Sequence, residues 1–472
     1  MKKKLLTLQV FSLPLIAGVI AAMLMANISP DFYQGLIHTP LTDMWGFLTH
    51  CATNHAHHAE GWKYYTTLHF LANDILMALF FGIAAKEITE ACLPNGALNP
   101  IRKAVNPLMA TFGGVAGPIA VFLGINAVFG EHEWRNGWGI PTATDIALAW
   151  LVARMLFGKS HSAVSFLLLL AVADDAIGLG IIAIGYPDPL HPTQWSNLAW
   201  LIPGMGIALG LRMNKVHSWI PYVGIGGSFC WWGLYSAHLH PALALVFVIP
   251  FLPPPKRDLG LYESADYDDN DDPLCSGATA AHCHSTLENF EHDLKAFVDF
   301  GLFFFAFANA GVPLSGVNGL TWILLLSLVL GKCIGIFGCS WVATKIGFPL
   351  PAGMTLRHLF VTSLVAALGL TVALFVSTQA FTSADLQGAA KMGAVFSAGA
   401  ALLAWLSAEI RGVRQGDPLL TIIRRNFPSQ SEPPEETPQP AVTIAKADAI
   451  ACSIFVIARS STACCTTLDH WK

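Results

Sequence analysis

Charged residues are scarce in this sequence: Asp, Glu, Lys and Arg make up 12% of its 472 residues. A soluble globular domain carries about twice that share, which argues against an ordinary soluble enzyme. Basic residues are not in surplus either, since the net charge is −5, so nucleic acid is not expected as a partner. The ten cysteines are scattered and do not form the disulfide framework of a small secreted protein.

Apolar residues are abundant instead. They make up 54% of the chain, and its mean hydropathy is +0.54. Apolar runs of about 20 residues, the length that crosses a bilayer, predict an all-α polytopic membrane protein with about twelve spans. The runs lie near residues 5–27, 67–86, 106–130, 138–157, 163–184, 195–211, 218–235, 238–252, 296–312, 320–343, 354–378 and 388–410.

The positions of Lys and Arg support an even number of spans. Nineteen of them fall in alternate loops, counted from the N-terminal one, and the other loops hold only Lys63, Arg135 and Lys391. Because loops rich in Lys and Arg stay in the cytoplasm, both termini are predicted to be cytoplasmic.

Two polar segments lie outside the spans. The sequence predicts one membrane domain over residues 1–411, with an acidic cytoplasmic loop at 253–293, and a poorly ordered cytoplasmic tail over 412–472. Histidines and cysteines cluster in two loops without the spacing of a known zinc site, so exposed loop is the interpretation and no metal site is predicted. These residues are His50, His55, His57, His58, Cys275, His282, Cys283 and His284.

Ionisable side chains inside the spans are the candidates for function, because their transfer into a membrane is costly. The spans contain Asp74, Asp145, Asp174, Asp175 and Lys332, and Glu87 lies at the cytoplasmic end of the second span. A structural ion pair is the simplest explanation of one such residue, but a single lysine cannot neutralise this many carboxylates. The set as a whole therefore indicates an ion site.

The adjacent acids Asp174 and Asp175 are the most specific feature of this set. Two neighbouring carboxyl groups bind protons as a coupled unit. When ionised, they offer the hard oxygen ligands that Na+, Li+ or a divalent cation prefers. Protons and cations then compete for the same oxygens, which is the minimal chemistry of an exchanger.

Two spans carry residues that interrupt a helix. Pro141 precedes Asp145 in the fourth span, and Gly369 and Thr371 lie in the eleventh. Proline breaks the hydrogen-bond ladder of a helix, and interrupted helices in corresponding halves of a chain point to a midplane transport site. Asp145 is then placed to neutralise the positive N-terminal ends of the half-helices, and Lys332 the negative C-terminal ends.

The sequence resembles the NhaA-type sodium/proton antiporters from about residue 62 to 411. The resemblance rests on NDILMALFF with Glu87 thirteen residues after Asp74, and on GWGIPTATDIALA, AVADDAIG, LFFFAFANAGVPL, GKCIGI and ALGLTVALF, in that order. It implies twelve helices with inverted repeats in spans 3–5 and 10–12, and discontinuous crossing helices in spans 4 and 11.

The resemblance also implies roles for individual residues. Asp174 and Asp175 match the paired carboxylates that bind the cation and carry protons, and Lys332 matches a lysine that pairs with the first acid. Thr144 and Asp145 match the crossing of the unwound fourth helix. Asp74, Gly369 and Thr371 are secondary candidates.

A pH-responsive group is implied at the cytoplasmic funnel. Glu87 matches its acidic member in the second span, Glu291 and His292 match a Glu-His pair, and His240 matches a further histidine. Lys295 stands where the family has another histidine. Because a lysine does not ordinarily titrate near neutral pH, this departure puts the pH threshold in question.

The sequence therefore predicts an electrogenic, pH-regulated Na+(Li+)/H+ antiporter of the bacterial inner membrane, not an enzyme. No cofactor is expected besides the transported Na+ or Li+ and H+, and the partners are monovalent cations, protons, membrane lipid and a second copy in a homodimer. The alternative is a proton- or sodium-coupled carrier of a small organic solute. An intramembrane aspartyl protease is disfavoured because its acids come from different helices, and a seven-helix receptor or passive channel because of the span count and the buried lysine.

Overall fold

The computed structural model describes residues 13–44, 61–93, 96, 98, 101–158, 161–186, 193–254 and 285–413. These residues are nearly all helical, and no β-strand forms among them. Both histidine-rich loops, most of the predicted loop 253–293 and nearly all of the predicted tail 412–472 lie outside the described residues.

Thirteen α-helices are numbered here along the described chain, some of them continuous with a 3₁₀ or π-helical turn. They are α1 (Leu13–Ile28), α2 (Pro30–His38), α3 (Leu68–Cys92), α4 (Ile101–Phe129), α5 (Ile146–Phe157), α6 (Ser162–Gly185), α7 (Leu201–Met213), α8 (Gly227–Ser236), α9 (Thr286–Asn309), α10 (Gly319–Ile346), α11 (Leu356–Val365), α12 (Thr371–Ala380) and α13 (Ala384–Arg411).

Several of these helices are long and apolar enough to cross a membrane. In the described part of the chain they are α3, α4 from residue 104, α6, α10 and α13, and a bent pair ending in α5 makes a sixth. Shorter apolar helices are α1, α11, α12 and the segment Pro241–Phe251. The prediction of an all-helical polytopic membrane protein is confirmed at this level.

The fourth and eleventh predicted spans are not continuous α-helices. The 3₁₀ helix His132–Thr142 ends before α5, and the two axes meet at 53°. The eleventh span consists of α11 and α12, separated by residues 366–370. Pro141 explains the first break, because its ring has no N–H to donate within a helix.

Helix α9 begins inside the segment that the sequence assigns to the cytoplasmic loop 253–293. It begins at Thr286, so residues 286–293 are helical. A reciprocal cap starts the helix: the Ser285 side chain accepts from the Glu288 N–H at 3.1 Å, and the Glu288 carboxylate accepts from the Ser285 N–H at 2.7 Å. This capping box is a known helix-start pattern that the hydropathy reading overlooks. The predicted eighth span is also different, since residues 241–251 form 3₁₀ turns.

Glycines bring α4 and α10 into close contact. A Cβ on Gly113 would collide with the Gly335 carbonyl, and one on Gly331 would come within 2.5 Å of Pro118. Small residues allow such backbone approach between membrane helices. Helix α10 is thereby fixed against α4, and it carries Lys332 toward the interior.

Candidate ion-binding site

A buried ion pair joins helices α10 and α6. The Lys332 Nζ lies 2.7 Å from Asp174 Oδ2, and both side chains are shielded from solvent. The lysine follows the π-helical turn Ser327–Gly331 directly, and such turns often occur at functional sites. Breaking a buried pair leaves an uncompensated charge, so each partner constrains the other.

The hydroxyl of Thr144 connects this pair to the interrupted eleventh span. It accepts a hydrogen bond from Lys332 Nζ at 2.5 Å. Its own oxygen lies 2.7 Å from Asp174 Oδ2 and 3.1 Å from the Ala366 carbonyl oxygen. A hydroxyl has one proton, so Thr144 donates to one of these acceptors at a time.

Asp145 caps two helices at once. Its Oδ1 accepts from the Leu148 N–H of α5 at 3.0 Å, and its Oδ2 accepts from the Thr371 N–H at 3.2 Å, where α12 begins. The side chain is 2% exposed. Each helix N-terminus has unpaired N–H groups and a partial positive charge, so one carboxylate stabilises both ends.

Asp175 differs from its neighbour in having no fixed partner. No hydrogen bond or ion pair from its side chain occurs among the described residues, and it lines a small, mostly apolar pocket with Phe81 and Leu179. The Oδ1 atom of Asp174, on the same pocket wall, is also buried without a hydrogen-bond partner. A buried acceptor in this condition is costly unless a ligand, ion or proton satisfies it.

Gly369 packs against the fourth span where the two interrupted segments meet. A Cβ at this position would lie 2.7 Å from the Ala143 carbonyl oxygen. One residue earlier, the Leu368 carbonyl accepts from the Asp145 N–H at 2.6 Å. Only a glycine permits this approach, which brings Thr144 and Asp145 to residues 366–371.

A second charged cluster joins the ends of α3 and α9. Glu291 accepts from Lys295 Nζ at 2.7 Å through Oε1 and from Lys86 Nζ through Oε2, and Lys86 also pairs with Glu90 at 2.7 Å. Glu291 precedes the predicted span 296–312. Burial raises the pKa of its carboxyl, but Lys295 and Lys86 outweigh that effect and hold it at about 2.

The structure gives the surroundings of the other three predicted pH-responsive residues. Glu87 lies within electrostatic range of Glu291 and Lys295, and also of Asp175. His292 is largely exposed and lies 3.4 Å from Asp293. His240 caps a 3₁₀ turn and packs on Phe375 of α12, with ring centroids 4.7 Å apart.

Asp74 does not line the pocket of the paired acids. It occupies the π-helical turn Leu71–Leu76 in α3, within electrostatic range of Tyr64 and Tyr65. The neighbouring Asn73 accepts a hydrogen bond from Asn309 at 2.7 Å.

Several contacts of these residues are not predicted from the sequence. The ion pair of Lys86 with Glu90 has the i, i+4 spacing of a helix pair, a pattern that could have revealed it. The contact of Lys86 with Glu291 joins distant segments and has no local pattern. The hydrogen bond from the Gly369 N–H to the Ser397 hydroxyl oxygen also joins distant segments, and no local pattern predicts it.

These features together define a class of protein. An all-α membrane protein with a buried lysine–aspartate pair, beside a second buried acid and two interrupted helices, has the organisation of a secondary ion transporter.

Comparison with known proteins gives the family. The family model described as "Na+/H+ antiporter 1" matches residues 4–407. The "Na(+)/H(+) antiporter NhaA" of Geobacter sulfurreducens is 52% identical over 415 residues, which cover 88% of this chain and 100% of the relative. Proteins of the same name from Desulfitobacterium hafniense (51%, with 88% and 97% covered) and Jannaschia sp. (40%, with 86% and 97% covered) are also similar.

The chain therefore belongs to the Na+/H+ antiporter family, and it is a transporter, not an enzyme. The predicted family and the predicted general function are confirmed.

Proposed function

We propose that this protein extrudes Na+ or Li+ in exchange for external protons, and that Asp174 and Asp175 are the site of exchange. The observation that carries the assignment is the pocket wall with its unsatisfied carboxylate oxygens: Asp174 Oδ1 and the Asp175 side chain have no hydrogen-bond partner in the described structure. A cation or a proton would bind to these oxygens.

The competition of the two ligands supplies the coupling. An ionised carboxylate pair binds a small cation through hard oxygen atoms, and the same oxygens bind protons when the cation leaves. In the proposed cycle, the pair releases protons and binds Na+ at the cytoplasmic face, and the site then opens outward. Lys332 and Asp145 both act electrostatically on Asp175 and would set the potential of the pocket.

We infer the membrane topology from the apolar runs, the distribution of Lys and Arg and the family to which the chain belongs. Twelve spans with inverted repeats would place the interrupted fourth and eleventh spans as the two discontinuous crossing helices, and both termini in the cytoplasm of a bacterial inner membrane. The chain would work as a homodimer in lipid and would need no cofactor. If each cycle moves one net charge, transport gains about 2.3 kcal/mol per 100 mV of membrane potential.

Regulation by pH is part of the proposal. Glu87, Glu291, His292 and His240 are the residues inferred to take part. The electrostatic interaction of Glu87 with Glu291 supports the assignment of these two residues. Lys295 and Lys86 both bind Glu291 directly, so we expect these two lysines to modify the response to pH.

Proton movement in inverted membrane vesicles tests the proposal. A respiration-driven pH gradient is established, and NaCl, LiCl, KCl or an organic solute is then added at several pH values. Dissipation of the gradient by Na+ or Li+, absent in Asp175→Asn vesicles, supports the assignment. Dissipation by an organic solute alone would favour the alternative carrier, and exchange retained in Asp175→Asn would refute the site.

A further inference from the structure

The thirteenth helix reaches the interrupted eleventh span through one serine hydroxyl. The Ser397 oxygen accepts a hydrogen bond from the backbone N–H of Gly369 at 3.2 Å, and the hydroxyl donates to the Ala394 carbonyl at 2.6 Å. The side chain is fully buried. The hydroxyl therefore donates one hydrogen bond within its own helix and accepts one from the eleventh span.

The contact coincides with an irregularity in α13. The helix runs from Ala384 to Arg411, but residues Ser397–Gly399 form a 3₁₀ turn. A 3₁₀ stretch inside a longer helix often marks a functional hinge or local strain. In this helix it lies at the residue that bonds the interrupted segment.

The segment 366–370 has few other long-range polar contacts. From the fourth span, Thr144 reaches the Ala366 carbonyl and the Asp145 N–H reaches the Leu368 carbonyl. From α13, the Ser397 hydroxyl oxygen accepts from the Gly369 N–H. Gly369 therefore has Ala143 close to the position where a Cβ would stand, and its N–H is bonded to Ser397.

A displacement of the segment 366–370 would change the hydrogen bonding of Asp174 through Thr144. The Thr144 oxygen lies near both the Ala366 carbonyl and Asp174 Oδ2, and its single proton serves one of them. If the segment moves, the share of that proton given to Asp174 changes, and so does the electron density that Asp174 offers a cation.

We propose that Ser397 is a positioning residue for transport: its hydroxyl fixes the segment 366–370 against the fourth span and thereby sets the affinity of the acidic pair for Na+. This inference rests on the exchange function proposed above. Ser397 acts through Gly369 and Thr144 and does not itself touch the ion.

The test compares three variants in inverted vesicles. Ser397→Ala removes the oxygen, and Ser397→Thr keeps it. Ser377→Ala is the matched control, because the Ser377 hydroxyl is equally buried but donates only to the Ala373 carbonyl of its own helix, at 2.7 Å. For each variant the apparent KM for Na+, the maximal rate per folded protein and the pH profile are measured.

We expect Ser397→Ala to raise the apparent KM for Na+ by about three- to tenfold, the factor that one buried hydrogen bond is worth. Ser397→Thr and Ser377→Ala should both keep the KM of the wild type. If Ser397→Ala does not accumulate, Ser397→Cys replaces it, since a thiol is a weak acceptor of similar shape.

An unchanged KM and pH profile in the oxygen-deleting variant would overturn the positioning role, even if its thermal stability falls. Exchange in the wild type together with that result would leave the proposed function standing. Absence of Na+-dependent proton movement in the wild type would overturn both.

Discussion

The carboxylate of Asp145 and the backbone N–H of Thr371 are joined by a hydrogen bond of 3.2 Å, although 226 positions separate the residues. The other oxygen of the carboxylate caps α5 through Leu148. One negative charge therefore satisfies the N-terminal ends of two helices that belong to different predicted spans. The two interruptions depend on each other through this side chain.

Removal of the shared cap should destabilise the protein more than removal of an ordinary one. Asp145→Ala frees the N-termini of α5 and α12 together, and each lost cap costs about 1 kcal/mol. Ser285→Ala, which uncaps only α9, is the control. Thermal unfolding of the purified proteins in detergent should give a lower Tm for the Asp145 variant, and equal Tm values would contradict the double cap.

Substitution of Asn for each of the adjacent acids should have different effects on the stability of the protein. Asp175→Asn should abolish exchange while the Tm stays close to that of the wild type, because this side chain has no fixed partner to lose. Asp174→Asn leaves the Lys332 charge buried and unpaired, a change that costs about 3–5 kcal/mol. Exchange assays and unfolding curves on the same preparations check both outcomes.

A double variant separates the ion pair from the binding site. Asp174→Asn combined with Lys332→Met removes both charges, so part of the lost stability should return while exchange stays absent. If the double variant is no more stable than Asp174→Asn alone, the observed 2.7 Å contact does not govern the folding stability.

Any side chain at Gly369 should separate the two interrupted segments. In Gly369→Ala the new Cβ would lie 2.7 Å from the Ala143 carbonyl oxygen, and overpacking of this kind costs about 1–3 kcal/mol. Gly338→Ala is the control, since its Cβ would meet no atom within 4 Å. We expect the first variant to lose both exchange rate and Tm, and the second to keep both; equal behaviour would argue against the close approach.

The lysine at position 295 should lower the pH at which exchange begins. Its cation favours the ionised form of the neighbouring carboxylates, and with Lys86 it holds the pKa of Glu291 at about 2, below the ordinary value of 4.5. Without that cation, these carboxylates retain their protons to higher pH. Lys295→Gln should therefore shift the pH of half-maximal exchange upward.

The matched control for this shift is Lys345→Gln. Lys345 lies in the last turn of α10 and its Nζ stands 5.7 Å from the ring centroid of Trp341, so no carboxylate of the cluster is involved. The pH profile of exchange in vesicles is measured for both variants. A downward shift for Lys295→Gln, or the same shift in both, would count against the cluster.

The sequence by itself determined the class of the molecule and predicted the residues of its site. Scarce charge and long apolar runs require a membrane. The cost of burying Asp174, Asp175 and Lys332 in it makes them candidates for function without any structure. Helix boundaries were less certain, as α9 shows, because a capping box is a local hydrogen-bond pattern and not a hydropathy pattern.

Only the tertiary structure decided which side chains meet. The sequence suggests that Asp145 neutralises helix ends, but it does not reveal that Thr371 is one partner, nor that Lys86 meets Glu291 or that Ser397 meets Gly369. Periodicity and hydropathy report what each segment requires from its surroundings, whereas contacts between segments depend on the angle and separation at which whole helices pack. Those are set by many small contacts, such as the glycine crossing of α4 and α10, that no single stretch of sequence records.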